Sequence, residues 1–220
     1  MATRVIDDAK LQAIAVAVQG KDNGDVITVD EMSDRIEALP DDSQFIDLCA
    51  GTNVNFSNNR ITTYNSTVFK GNTNLISISL PNLTTISKKE MFNSCTNLIS
   101  ANLPKVTSFI QQEFYNCSNL TSVNLPELEN MGYQLTFAQC PNLTEIYLPK
   151  VTKIGLKCFG DCRNLTKVIL NKRATLSSIN AFERCPAIIY VLPEDLNWYS
   201  TATNWADLYA DGRVKSTEEL

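Results

Sequence analysis

The chain has 220 residues, of which 44% are hydrophobic and 20% are charged, as in an ordinary soluble globular protein. The net charge is −5 with no long run of either sign, which argues against nucleic acid or an anionic membrane as a partner, because both need a basic surface. The chain has no histidine, so Ser-His-Asp triads, Cys-His pairs and histidine-ligated zinc sites are excluded.

Residues 1–40 carry a helical pattern. Apolar residues recur at helical spacing over 5–18, residues 20–25 form a turn-rich stretch, and Thr28 with Glu31 gives the capping box of a second helix. We therefore predict a small helical N-terminal segment over residues 1–40. It has neither the flanks of a signal peptide nor the length of a membrane span, so no export signal and no membrane anchor are expected.

Residues 41–68 are predicted to form a degenerate coil that caps the array after it. Val54 and Phe56 are its expected inward-facing strand pair, and Ile61 and Tyr64 belong to a second extended piece. Such a cap is required because the first unit of a stacked array would otherwise leave an apolar surface open to water.

Residues 69–193 contain an internal repeat of 22 or 23 residues. Three columns keep the same register: a phenylalanine column, a leucine column and a cysteine column. Their members are Phe69, Phe92, Phe114, Phe137, Phe159 and Phe182; Leu75, Leu98, Leu120, Leu143, Leu165 and Ile188; and Cys95, Cys117, Cys140, Cys162 and Cys185. A repeat of this length predicts a solenoid of about six coils.

One unit shows how a coil is expected to form. In the stretch 75–80, Ile78 and Leu80 alternate with serines, which indicates a strand with one apolar face. Pro81 ends the strand because it has no N–H for a β-ladder. A single coil cannot bury its apolar face, so stacking is needed. An asparagine before each inward leucine is expected to form a ladder between coils at a tight corner.

Residues 194–220 are predicted to cap the far end of the array. Four bulky residues supply the plug, and the region around Trp205 is expected to form a short helix or turn. The plug residues are Trp198, Trp205, Leu208 and Tyr209. The predicted fold class is thus mostly β with short helices, a repeat solenoid with a helical N-terminal segment and a C-terminal cap.

The unit F-x-x-C-x-N-L-x-x-[IV]-x-L-P-x-[LV]-T-x-I resembles the BspA-like (Treponema pallidum-type) leucine-rich repeat of bacterial surface and phage-associated proteins. The C-terminal region is similar to the cap of such arrays. The stretches 14–18 and 27–32 resemble an N-terminal segment of tail-associated proteins from phages of Gram-positive bacteria. The resemblance implies a leucine-rich-repeat solenoid that binds a partner and that comes from a phage or prophage of Gram-positive bacteria.

Candidate chemistry is sparse. The cysteine column could hold a metal or stacked disulfides, but small apolar filler in the coil corner is the favoured interpretation. Residues 22–25 match a calcium loop incompletely, since Glu31 falls at the tenth position, and a solvated turn is favoured. Glu145 and Lys167 are expected to form a surface ion pair. No convergent acid pair is evident, so no enzyme activity, metal or cofactor is predicted.

The outward strand positions are the remaining candidates for a binding site. They are small and polar in the first three coils but bulky in the last three, where tyrosines favour binding. The predicted ligand-binding surface is Glu145, Tyr147, Lys167, Ile169 and Tyr190. The alternative is that these residues only solvate the face and that binding uses an edge.

The functional hypothesis is a non-enzymatic binding module of a phage or prophage virion, assembled in the host cytoplasm. The expected ligand is a protein or a cell-wall glycan, and the N-terminal segment would contact other virion proteins; neither nucleic acid nor a membrane is an expected partner. A homo-oligomer of this chain is a further possible assembly under this hypothesis. The alternative is a bacterial cell-surface or secreted adhesin.

Overall fold

A computed structural model describes residues 54–59, 61–64 and 69–220. The predicted helical segment 1–40 and most of the capping coil 41–68 lie outside the described residues. Twelve strands are described, and their bounds are β1 Val54–Ser57, β2 Thr63–Tyr64, β3 Leu75–Ser79, β4 Thr85–Ile86, β5 Ser100–Asn102, β6 Ser122–Asn124, β7 Glu145–Leu148, β8 Lys153–Ile154, β9 Lys167–Leu170, β10 Thr175–Leu176, β11 Ile188–Val191 and β12 Val214–Ser216.

The strands form short parallel ladders along a solenoid of about seven coils, counting the capping coil that contains β1. The main face of the solenoid consists of two four-stranded parallel sheets, ordered β1-β3-β5-β6 and β7-β9-β11-β12. The second extended pieces pair as β2-β4 and β8-β10. Each coil thus contributes one strand to the main face, as the repeat predicts.

The core is a set of side-chain columns that run through all coils. The phenylalanine column is fully buried, and successive ring centroids lie 5.1–5.8 Å apart from Phe69 to Phe182. Leu98, Leu120 and Leu143 are also fully buried. Because one coil presents only one side chain to each column, each apolar side chain is covered by its equivalents above and below.

The corner after each phenylalanine has a left-handed backbone. The residue two positions beyond each phenylalanine has positive φ, and its N–H donates to a carbonyl of the next coil in five of the six coils. These residues are Gly71, Ser94, Asn116, Gln139, Asp161 and Arg184. A left-handed residue is disfavoured in isolation, so the inter-coil hydrogen bond and the packing around it hold the corner in place.

The predicted asparagine ladder is present on the outside of this corner. Asn97 donates to the carbonyl of Thr73 at 2.7 Å, Asn119 donates to Asn97 Oδ1 at 3.3 Å, and Asn142 donates to Asn119 Oδ1 at 3.4 Å. The amide groups therefore link one coil to the next, as expected from short polar side chains at a tight bend.

The register of the last coil differs from the sequence prediction. Ile188 was assigned to the inward leucine column, but it lies opposite Lys167 on the outer face and is half-buried. Ile189 is the inward residue, opposite Val168, and Ala187 is fully buried before it. The segment between Cys185 and the strand is shorter than in the other coils, which shifts the alternation.

The C-terminal region closes the core with two short helices, α1 (Leu196–Tyr199) and α2 (Ala206–Ala210), and with β12. Trp205 is fully buried and continues the phenylalanine column, 6.2 Å from the Phe182 ring. Trp205 Nε1 donates to the carbonyl of Ala174 at 2.6 Å. Of the predicted plug residues, Trp205 and Leu208 are buried, and Trp198 and Tyr209 are partly buried against the core. Tyr199 and β12 were not predicted. No helix among the described residues is long and apolar enough to cross a bilayer.

Candidate binding surface

The structure brings the five predicted surface residues together on one face. Parallel pairing places Glu145 beside Lys167, and it places Tyr147, Ile169 and Tyr190 beside one another on β7, β9 and β11. The row continues to Lys215 on β12. Adjacent strands are about 4.8 Å apart, so the two tyrosines are separated by about 10 Å. We call Tyr147, Ile169 and Tyr190 the apolar row.

The apolar row is accessible but partly ordered by its neighbours. Tyr147 is 52% exposed, and its hydroxyl accepts a hydrogen bond from Asn171 Nδ2 at 2.8 Å. Lys167 Nζ lies 3.6 Å from a Glu145 carboxylate oxygen, so the predicted surface ion pair is confirmed. These contacts lie at the rim of the row, where the Tyr147 ring is exposed and Ile169 and Tyr190 are half-buried.

The same positions in the earlier coils form a different surface. Ser77 Oγ donates to Asn55 at 2.6 Å, Asn102 donates to Ser79 Oγ at 3.0 Å, and Asn124 donates to Asn102 Oδ1 at 2.7 Å. The polar groups of this half therefore satisfy one another along the solenoid. A surface whose donors and acceptors are already paired offers less to a partner than an open apolar row.

A break in the sheet separates the two surfaces. β6 and β7 belong to different sheets, whereas the strands up to β6 pair in one sheet and the strands from β7 onward pair in the other. The inward residue of β6, Val123, is partly exposed, whereas Ala101 before it and Ile146 after it are buried. The change from polar to bulky outward residues thus coincides with a gap in the backbone ladder.

The cysteine column is interior filler, as favoured from the sequence. All six described cysteines are buried, and four of them donate their thiol hydrogens to the carbonyl of a phenylalanine in the preceding coil at 2.7–3.1 Å. Burial raises the pKa of the Cys140 thiol to about 12. A thiol of this kind stays protonated at neutral pH, and the protonated form is a poor nucleophile and metal ligand.

Comparison with known proteins agrees with the repeat. The model for the BspA type leucine-rich repeat region matches residues 41–150 and 133–203, in six copies. The chain belongs to the BspA-type leucine-rich repeat family. Such repeats generally serve as non-enzymatic binding modules and mediate protein interactions. No curated protein matches the chain.

Two solved leucine-rich repeat structures are similar to this one. A leucine-rich repeat protein from Bacteroides ovatus ATCC 8483 is 29% identical with a TM-score of 0.54, over 67% of this chain and 39% of that one. The leucine-rich repeat protein of T. pallidum is 26% identical with a TM-score of 0.50, over 60% of this chain and 63% of that one. This chain therefore spans less than two thirds of either structure.

The sequence did not predict two further surface features of this leucine-rich repeat. Tyr133 is 71% exposed on the edge formed by the turns, with Lys153 Nζ 5.6 Å from its ring centroid. It follows Gly132, where φ is +81°, and a Cβ there would lie 2.4 Å from the carbonyl oxygen of Ile110. The close backbone approach requires glycine, and it turns the next side chain outward.

The second feature is an open groove at the left-handed corners of the middle coils. Three charged residues line it: Asp161 forms ion pairs with Arg163 at 3.2 Å and with Arg184 at 2.9 Å. Polar residues and one proline from two neighbouring coils complete the lining, namely Asn116, Ser118, Gln139 and Pro141. Because Asp161 already satisfies part of both guanidinium groups, the groove is a weaker candidate than the apolar row.

Proposed function

We propose that this leucine-rich repeat is a non-enzymatic binding module that engages its partner through Glu145, Tyr147, Lys167, Ile169 and Tyr190. The observation that carries the proposal is the apolar row, which places an exposed tyrosine, Tyr147, in register with the half-buried Ile169 and Tyr190. Aromatic residues at the centre of a patch, surrounded by polar groups, dominate the energetics of many protein interfaces.

The proposed ligand is a protein or a cell-wall glycan of a host cell surface. A central aliphatic residue, Ile169, between two tyrosines favours a protein partner, because an isoleucine side chain fills an apolar pocket of a protein and offers no flat ring for a sugar to stack on. The ion pair of Glu145 and Lys167 would lie at the rim, where it affects specificity more than affinity.

As a finer proposal, the module belongs to a virion or tail of a phage or prophage, and residues 1–40 attach it to other virion proteins. The support is the resemblance of the N-terminal stretches to tail-associated proteins. A bacterial surface or secreted adhesin is the alternative. Mass spectrometry of purified particles from the source strain separates the two, because a virion protein copurifies with the particle and an adhesin remains with the cell.

The binding proposal is tested with two matched double variants on purified host cell walls and on their protein extract. Tyr147→Ala with Tyr190→Ala removes the ends of the apolar row, and Ser79→Ala with Asn102→Ala alters the corresponding positions of the other half. Loss of one aromatic residue that dominates an interface typically costs about 2 kcal/mol, or about 30-fold in affinity. The tyrosine variant should lose binding and the control should keep it. Equal affinity of the tyrosine variant and the wild type would refute the assignment.

A further inference from the structure

One carboxyl group lies wholly inside the solenoid. Glu113 precedes Phe114 and has no exposed surface, and among the described residues it is the one acidic or basic side chain that is fully buried. The same position holds uncharged side chains in the other coils, namely Met91, Thr136, Cys158 and Ala181. The repeat itself therefore does not require a carboxyl group here.

The Glu113 side chain closes the turn that leads to Phe114. Its Oε1 accepts hydrogen bonds from the backbone N–H groups of Ile110 at 2.7 Å and Gln111 at 2.8 Å. Its Oε2 is buried and has no hydrogen-bond partner among the residues that the structure describes. The two N–H donors favour the ionised carboxylate, but complete burial opposes it, because an ionised group loses far more hydration than a neutral one. Burial with one oxygen unpaired therefore favours the neutral acid.

The surrounding charges act in the same direction. The titratable groups that face Glu113 from the described elements packed around it are Glu90 in the preceding coil and Cys158 two coils further on. Glu90 is itself paired with Lys70 at 2.8 Å. Burial is the largest cause that raises the pKa of Glu113 from 4.5 to about 7, and Glu90 adds to it, while the backbone hydrogen bonds oppose it.

We infer that Glu113 is a pH-sensitive latch, which holds the turn at residues 109–113 closed when it is protonated and releases it when it is ionised. The turn is joined to an exposed segment, because the carbonyl of Ile110 accepts a hydrogen bond from the N–H of Tyr133 at 2.8 Å, and Tyr133 is exposed. Release would therefore loosen the segment that presents the exposed Tyr133 side chain.

The sign of the effect follows from proton linkage. The folded chain holds a proton on Glu113 between pH 4.5 and about pH 7, where the unfolded chain has lost it. The stabilisation by this proton is therefore complete below pH 4.5, declines as the pH rises and is absent above about pH 7. A shift of this size corresponds to about 300-fold in the unfolding constant.

The test measures denaturant unfolding of the full chain from acidic to alkaline pH, together with the Glu113 carboxyl titration by carbon-13 NMR. Glu113→Gln keeps the shape and removes the proton, and Glu129→Gln, at an exposed position, is the matched control. As the pH rises to neutral, the unfolding constant of the wild type should increase by up to about 300-fold relative to that of Glu113→Gln. The control Glu129→Gln should behave like the wild type. Amide protection of Ile110 and Gln111 should fall over the same range.

Two results would overturn the latch. One is an unfolding profile in which the wild type and Glu113→Gln remain parallel, and the other is a Glu113 titration near pH 4.5. If the glutamine variant does not fold, Glu113→Met, the residue type found at position 91, replaces it. The carboxyl titration needs no variant and tests on the wild-type chain whether Glu113 holds a proton near neutral pH, whereas the amide protection of Ile110 and Gln111 tests whether the turn opens.

Discussion

The two halves of the main face share one core and differ in what they show to solvent. Phe92 and Phe159 lie in the same column with the same 5.1 Å spacing to the next ring, one in each half. Outside, the first half is a chain of paired asparagines and serines, and the second half carries the apolar row. In a solenoid the inward residues are fixed by stacking, and the outward residues are free to diverge.

The largest expected effect tests whether the two halves are equivalent inside. Phe92→Ala and Phe159→Ala each remove a fully buried ring, which costs about 3–5 kcal/mol. We expect nearly equal losses in the free energy of unfolding, measured with chemical denaturant. A clearly smaller loss for one variant would show that the difference between the halves extends into the core.

The next effect concerns the C-terminal half alone, which is anchored by Tyr199. Its hydroxyl donates to the carbonyl of Lys172 at 2.9 Å and accepts from the N–H of Ala174 at 3.1 Å. Tyr199→Phe should lower the free energy of unfolding by about 1–3 kcal/mol. Tyr133→Phe, at an exposed position, is the control and should change it by less than about 0.5 kcal/mol. Similar losses for both variants would contradict the anchoring role.

A smaller effect separates stability from binding. Asn102→Ala breaks side-chain hydrogen bonds to Ser79 and Asn124, so stability should fall by about 1 kcal/mol while binding is unchanged. Tyr147→Ala should do the reverse, because its exposed ring contributes little to the fold. Thermal melting and binding assays on the same two variants check both statements. A loss of binding in Asn102→Ala would place the partner on the other half.

The smallest effect is the ion pair at the rim of the apolar row. A double-mutant cycle with Glu145→Ala and Lys167→Ala should give a coupling of about 0.2–1 kcal/mol in unfolding. The coupling should decrease in high salt, because exposed charges are screened. A coupling that is large and independent of salt would mean that the pair is shielded from solvent.

Periodic residues made most of the fold predictable. The spacing of Phe69 to Phe182 defined the coils, and the alternation in each strand identified which side chains face outward, including all five surface residues. Stacked coils convert sequence period directly into spatial register, which explains this success. Ile188 was assigned to the wrong face because the segment after Cys185 is shorter than in the other coils, which breaks the period. The spacing between phenylalanines does not reveal where within a coil residues are missing.

Other features depend on contacts without a periodic signal. Glu113 occupies a column whose residue type varies, so its burial follows only from the packed structure. Val214–Ser216 is too short for strand prediction, and its place beside β11 is set by Arg213, whose guanidinium donates to the carbonyl of Cys185 at 2.7 Å. The break between β6 and β7 leaves no mark in the apolar pattern, since Val123 fits its column.

Within the described part of the chain, the hydrogen bonds from the C-terminal cap to the repeats reach the last coils. Trp205 binds Ala174, Asn204 binds the carbonyl of Leu176 at 2.9 Å, and Arg213 binds the carbonyls of Cys185 and Ala187. Gene duplication or loss of whole units upstream would leave this closure untouched, whereas a deletion of a few residues would misalign the aromatic rings. Related chains can therefore vary the length of the displayed surface in steps of a complete coil.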